Sequence, residues 1–440
     1  MEKNSIFTES VVDLNDNAYG VIKIGGEVVF VPYVLPEEII TGVIINTKSK
    51  YSIGKATNIT NHNSNRVTPE CTYFNMCGGC DLQHMSDSFQ VDFKKNKVSH
   101  LMKKIAGLDI KINKYVSKNK FRYRNKIALP VNEKGQIGLY RKNTHNILPI
   151  TDCLISKQWT KDLISCISSF MKKFNITGYN EATKKGTIKH IVAREVNDNF
   201  LFTIVITTDT LLHQEDLVAE LKTKFNNFGL NLNINKLNNN CILSNNWKHV
   251  YGLKELVVNN NGITYPVNNA SFMQVNLAVQ DELYSDIFAE IQPSDVVINA
   301  YSGAGLLSAQ ICKKAKRCYG IEIVKEATES ANKLKQTNNI ENLINICGDC
   351  ATIIPQIINK QKNSIVVLDP PRKGVEKCII DALINANTQK IIYVSCDPAT
   401  LSRDVKLLTD SGYMLKFINA YDMFPQTAHV ESLACLVKKE

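Results

Sequence analysis

The chain has 440 residues, 44% hydrophobic and 21% charged, a globular composition with length for about three domains on a prior of roughly 150 residues each. That excludes a disordered or collagen-like chain, and no apolar run approaches the ~18 residues of a membrane span. The net charge is +10, and from Asp92 to Lys142 fifteen Lys and Arg face three acids, so one segment carries the whole excess.

The opening MEKNSIFTES lacks the basic flank and apolar stretch of a signal peptide, and thirteen cysteines are an odd number. A secreted disulfide framework is therefore not expected, and a reducing cytoplasmic setting is. Residues 1–60 read as short strands broken by Gly and Pro: Gly20–Gly26, Glu27–Pro32, Ile39–Asn46 and Tyr51–Ile59. Four or five such strands suggest a small closed β-barrel of the oligonucleotide-binding kind. Residues 61–92 are cysteine-rich and loop-like. Residues 93–125 form a basic segment, expected to dock on the C-terminal domain, and its Lys94–Lys104 stretch also reads as a solvated helix face. Phe121-Arg122-Tyr123-Arg124-Asn125-Lys126 interleaves aromatics with cations, a mixture that stacks on bases and grips phosphates.

Residues 126–264 form an α+β central domain, with strand signals at Ile127–Val131, Ile191–Val196 and Phe200–Thr207 and helical ones at Asp162–Lys173 and Gln214–Asn226. From 265 to 440 strand and helix alternate. Strands are predicted at Val296–Asn299, Cys318–Ile323, Leu343–Cys347, Ile365–Asp369 and Ile391–Ser395, with helices such as Leu306–Lys314 and Lys325–Thr337. Met414–Asn419 and Leu433–Val437 leave no room for a crossover helix, which implies an antiparallel edge. Seven strands so arranged suggest an α/β S-adenosylmethionine-dependent methyltransferase fold.

The candidate cofactor residues lie at successive strand ends, where ligands of such sheets sit. Asn299-Ala300-Tyr301-Ser302-Gly303-Ala304-Gly305 is a glycine loop whose third glycine is replaced by Ser308, which suits an amino-acid moiety better than a pyrophosphate. Glu322 suits two ribose hydroxyls and Asp349 an adenine amino group, although a helix cap or surface acid is the commoner role of either. Cys396 follows a buried strand and precedes Asp397-Pro398, an expected N-cap and first helical residue. Beside a helix N-terminus a thiolate is favoured, and a thiolate near a methyl donor suggests attack on carbon-6 of a pyrimidine to activate carbon-5. Asp369-Pro370-Pro371-Arg372 is a stiff loop able to wall a base pocket, with Asp369 bonding the pyrimidine edge. Arg372 stands where enzymes that methylate exocyclic amines carry an aromatic, which argues against amine chemistry. Glu431 is the candidate base for the carbon-5 proton, with His429 its rival.

Cys71, Cys77 and Cys80 surround a Gly-Gly turn and need a fourth ligand, for which Cys153 is the candidate. Four thiolates suit zinc or an iron–sulfur cluster alike. Cys347 and Cys350 form a second pair, read as packing.

Ser271-Phe272-Met273-Gln274-Val275-Asn276, the Asp369-Pro370-Pro371-Arg372 loop, Ser395-Cys396-Asp397-Pro398 and His429-Val430-Glu431-Ser432 together resemble the RNA uracil-5 methyltransferases. The whole chain resembles the long branch that modifies 23S rRNA, with an N-terminal TRAM barrel and an iron–sulfur subdomain. That resemblance implies Cys396 as nucleophile, Glu431 as base, and Gln274, Tyr301, Glu322 and Asp369 around S-adenosylmethionine and the base. It also implies a [4Fe-4S] cluster rather than zinc. One departure is Leu306, where some members carry an Asn. The rival readings are tRNA uracil-5 methylation and a non-catalytic RNA-binding protein.

Overall fold

The computed structural model describes residues 1–361 and 364–439. It divides into two compact units: Met1–Lys97 with Leu139–Ile150 and Phe424–His429, and Val98–Gly138 with Thr151–Met423 and Val430–Glu440. None of the described helices is long and apolar enough to cross a membrane.

The first unit is built on a curled six-stranded sheet, in the order Ile6–Ser10, Ile39–Thr47, Ser52–Asn61, Glu27–Pro32, Tyr19–Ile24, Asp13–Leu14. Two of these strands, Ile6–Ser10 and Asp13–Leu14, escape the sequence reading because they are short and mostly exposed. Period-two alternation puts Ile22, Val29, Val31, Ile40 and Ile44 on one face, around Phe7. Each fully buried side chain of this size stabilises by roughly 1.5–3 kcal/mol. Gly42 makes room for the Phe7 ring, since a Cβ there would lie 2.6 Å from Phe7 Cζ. The chain leaving Ser10 bridges two parts of this sheet: Val11 N–H donates to Glu38 O, just before strand Ile39–Thr47, and Val12 N–H to Val21 O in strand Tyr19–Ile24, both at 2.9 Å. The Glu38 carboxylate is buried and accepts from the Arg66 guanidinium at 2.5 and 2.7 Å. Helix Asp87–Leu101 follows the cysteine-rich loop. Its Lys94 is not on a wet face: the side chain is fully buried and Nζ donates to Phe424 O at 3.2 Å.

The second unit holds two main sheets. The central one runs Trp247–Gly252, Phe228–Ile234, Asn199–Ile206, Ile188–Val196, Lys126–Pro130. Its one parallel pair, Asn199–Ile206 with Phe228–Ile234, is joined across helix Gln214–Lys222. Phe228–Ile234 is hidden in sequence by asparagines; Asn231 and Asn233 are buried there, bonded to His249 at 3.0 Å and to Ser244 O at 2.9 Å.

The larger sheet has eight strands in the order Leu343–Cys347, Arg317–Glu322, Val296–Ala300, Ile365–Leu368, Lys390–Ser395, Glu431–Lys438, Tyr413–Tyr421, Lys114–Val116. The first five are parallel, with crossover helices between them, as an alternating strand–helix pattern requires. Glu431–Lys438 is antiparallel to both neighbours. The antiparallel pair is therefore present, but it does not form the edge. Lys114–Val116, a three-residue strand from the basic segment, pairs parallel to Tyr413–Tyr421 and covers it.

Candidate active site

The carboxyl ends of the parallel strands carry the glycine loop. Tyr301 adopts a left-handed conformation at φ 60°, and Gly305 stands at φ 85°. A Cβ on Gly305 would lie 2.7 Å from Ala331 Cβ, so only glycine lets this turn meet helix Lys325–Thr337. Glu322 ends the neighbouring strand and braces the loop: Oε2 accepts from Gly303 N–H and Oε1 from Val324 N–H, both at 2.9 Å. Each oxygen keeps a lone pair for a further donor. Asp349 takes the commoner role that its position allowed, capping helix Cys350–Lys360 by accepting from Ala351 N–H at 2.9 Å.

A cavity of about 220 Å³ opens beside this loop, lined by Gln274, Tyr284, Tyr301, Gly303, Leu306 and Asp369 among others. It brings together Gln274, Tyr301 and Asp369 from distant parts of the chain; Glu322 and Asp349 stand at adjacent strand ends outside its lining. Leu306 faces this cavity, so the departure noted in sequence falls on the site itself. Tyr284 was missed, because a lone Tyr within helix Leu277–Ala289 carries no local mark of a site.

The reactive residues sit at the end of the next strand pair. Ser395 pairs with Ser432 in an antiparallel ladder, so the following step sets Cys396 beside Glu431. Asp397 caps helix Pro398–Asp410, accepting from Ala399 and Thr400 N–H at 2.9 and 3.1 Å, with Pro398 in the first turn. Local capping logic thus holds, but the electrostatic expectation drawn from it does not. The Cys396 thiol is pushed up to about 11, mainly by burial, then by the charges of Glu431 and Asp369, with Arg372 opposing. Burial and two neighbouring carboxylates therefore outweigh whatever the helix N-terminus offers the sulfur. Glu431, 5% exposed, is raised to about 8 by burial and by the Asp369 charge, with Arg372 opposing. Asp369 is raised to about 7 by burial alone. Cys396, Glu431, Asp369 and Arg372 therefore share one electrostatic neighbourhood. His429, the rival base, belongs to the first unit.

The interleaved motif has mostly structural duties. Arg122 grips Asp152 in a two-pronged pair at 2.9 and 2.6 Å, Tyr123 is buried, and Lys126 Nζ donates to Asn269 O at 2.7 Å. It is not a free base-stacking ladder. Cys71, Cys77 and Cys80 are half-buried thiols of one loop in the first unit, and Gly79 N–H donates to Cys77 Sγ at 3.3 Å. Soft sulfur donors of this kind suit zinc or an iron–sulfur cluster. Cys153, also half-buried, belongs to the second unit. Among the described residues, no three His, Cys, Asp or Glu side chains gather as a metal-holding group. Cys350 is buried, as packing requires, whereas Cys347 is exposed.

Comparison with known proteins bears on the whole chain. Residues 86–439 match the family described as tRNA (Uracil-5-)-methyltransferase. A Clostridium tetani protein named as an uncharacterized RNA methyltransferase is 34% identical, over 98% of this chain and 96% of its own. A Listeria monocytogenes protein of the same description is 33% identical over 99% and 98%. Among solved structures, the Pyrococcus abyssi tRNA (uracil-54, C5)-methyltransferase in complex with S-adenosyl-L-homocysteine shares the fold at a TM-score of 0.81 and 23% identity, covering 98% of this chain and all of that one. A sheet that carries a cysteine beside a buried glutamate at its ligand edge, within a chain related end to end to RNA methyltransferases, makes this an RNA methyltransferase of the tRNA (uracil-5-)-methyltransferase family.

Proposed function

We propose that this enzyme methylates carbon-5 of a uridine in 23S rRNA through a covalent adduct between Cys396 and carbon-6. The observation that carries the reading is the strand register that pairs Ser395 with Ser432, so that Cys396 and Glu431 lie next to the same rung and the Glu431 charge reaches the thiol, with an Asp369 that also lines the cavity. The residues around that cavity fit S-adenosylmethionine. Glu322 has lone pairs left for ribose hydroxyls, and Gln274 and Tyr301 line the space beside the glycine loop. Asp349 would reach the adenine amino group only with the carboxylate oxygen its helix leaves free. S-adenosylmethionine supplies an electrophilic methyl group.

With Asp369 near 7 and Glu431 near 8, the two carboxyls together hold about one proton slightly above neutral pH. One is then a proton acceptor and the other a hydrogen-bond donor to the pyrimidine edge. Cys396 gives up its thiol proton to solvent as sulfur bonds to carbon-6, and the ring electrons move onto the carbon-4 carbonyl oxygen. Carbon-5, now enolate-like, takes the methyl group. Where the shared proton sits on Asp369, Glu431 as carboxylate removes the carbon-5 proton, the ring double bond re-forms, and the Cys396 sulfur leaves with its electron pair. Arg372 favours the anionic sulfur at both ends of this sequence. The target base must leave its stack to reach Cys396, a loss of a few kcal/mol that pocket contacts have to offset.

By resemblance, Cys71, Cys77, Cys80 and Cys153 hold a [4Fe-4S] cluster with a structural role and the substrate is rRNA; the thirteen cysteines support a reducing, cytoplasmic setting. A tRNA substrate is the second reading. It is favoured by the full-length likeness to a structure named as a tRNA (uracil-54) enzyme, because the N-terminal sheet then no longer selects rRNA. Tritium release from carbon-5 of uridine in 23S rRNA fragments, against tRNA, decides between them. RNA carrying 5-fluorouridine should trap a denaturation-stable adduct, since fluorine cannot leave as a cation, and Cys396→Ala should abolish it. A trapped adduct in Cys396→Ala would refute the assignment. Anaerobic purification should yield a brown protein; a colourless one that holds zinc would refute the cluster.

A further inference from the structure

Residues 268–276 connect strand Ile263–Val267 to helix Leu277–Ala289 without regular structure, and Ser271, Phe272, Met273 and Gln274 of this loop line the cavity. Such a segment has carbonyls that no ladder satisfies, and its position is set by whatever bonds them. The central sheet does so. Arg194, from strand Ile188–Val196, donates Nη2 to Ser271 O at 2.6 Å. Lys126, opening strand Lys126–Pro130, donates Nζ to Asn269 O at 2.7 Å, and Asn125 beside it donates Nδ2 to Gln274 O at 3.1 Å. The Asn269 side chain returns the contact, donating to Val192 O, Leu201 O and Thr203 Oγ1 at 2.9 to 3.1 Å.

The choice of cations is what needs a reason. Arg194 is fully buried, and its Nε and Nη1 have no hydrogen-bond partner among the described residues. The charges that reach Lys126 are those of Arg194 and Arg124, so the two cations repel one another without a carboxylate between them. Burying such groups costs stability that neutral side chains would not cost. What they supply is the strength of charge-assisted bonds to two of the loop's carbonyls, beside neutral bonds such as Asn125 N–H to Val275 O at 3.1 Å.

We propose that Arg194 and Lys126 are positioning residues of the methyl-donor site, fixing the Gln274 loop over the cavity so that donor affinity depends on side chains of the central sheet. This rests on the reading that the cavity holds the donor. A loop released from these bonds keeps its Gln274 side chain but loses its placement, and displacements of about 1 Å at a site are felt strongly. The effect falls on the donor and not on the chemistry of Cys396, whose strand these residues do not touch.

The test is binding of S-adenosylhomocysteine to the full-length protein by calorimetry, with steady-state kinetics. Arg194→Met should weaken binding about tenfold and Lys126→Met about threefold, while kcat at saturating donor stays within about twofold. Arg194→Lys, which keeps one donor, should recover most of the loss. Leu232→Ala removes a buried side chain elsewhere in the same sheet and should lower the melting temperature without changing the dissociation constant. Wild-type affinity in the folded Met variants would overturn the proposal, as would an equal loss in Leu232→Ala. If Arg194→Met does not fold, Lys126→Met decides alone. Failure of the wild-type protein to bind S-adenosylhomocysteine would instead overturn the donor reading of the cavity.

Discussion

Glu431→Gln should stabilise the RNA-free enzyme, and only in one pH range. The side chain is 5% exposed, and its acidity is shifted from 4.5 to about 8 by burial and by Asp369. Because the folded value lies above the unfolded one, folding favours the protonated acid. The carboxyl carries no penalty below pH 4.5, the penalty accumulates as pH rises towards 8, and it is constant above. At 1.36 kcal/mol for each pH unit the full shift would amount to roughly 4–5 kcal/mol, and relaxation around an ionised site leaves about 2–3 kcal/mol. The isosteric amide removes that penalty. Urea unfolding of both proteins between pH 4.5 and 8.5 should show Glu431→Gln ahead by about 2–3 kcal/mol at the alkaline end, with the two converging at the acid end. A gain independent of pH would trace to packing, and a loss at every pH would show that the carboxylate is stabilised by partners; either result refutes the argument. Asp369→Asn has the same sign over a window from 3.8 to about 7, and the two gains should not add, because the Asp369 charge contributes to the Glu431 shift.

Alkylation of Cys396 by iodoacetamide in RNA-free enzyme should keep accelerating beyond pH 9, in line with a thiol near 11, and Arg372→Ala should slow it further; mass spectrometry of the Cys396 peptide that showed a plateau near pH 7 would contradict this. Asp397→Ala removes both cap bonds of helix Pro398–Asp410 and should cost about 1–2 kcal/mol in urea unfolding. Gly305→Ala forces a side chain into a left-handed turn and against Ala331, and should cost about 1–3 kcal/mol while weakening S-adenosylhomocysteine binding in calorimetry.

Features whose physics is local could be read directly from the residues. Asp397-Pro398 announces a helix start because a cap needs only the next three residues. Alternating β and α patterns announce a parallel sheet, and a glycine loop after the first strand announces a ligand edge. Four motifs, each a short run of residues, carry the resemblance to the family. Other features belong to pairs of residues far apart in the chain. Lys114–Val116 is too short to carry a strand period, and it becomes a strand only because Tyr413–Tyr421 offers an open ladder. Lys94 and Arg122 look like RNA-facing cations until Phe424 O and Asp152 are found holding them. The thiol of Cys396 looks activated until burial, Glu431 and Asp369 are counted against it. Hydrophobic period and capping depend on neighbours in sequence, whereas strand register and electrostatic fields depend on neighbours in space, and it is folding that brings Glu431, Asp369 and Arg372 around one sulfur atom.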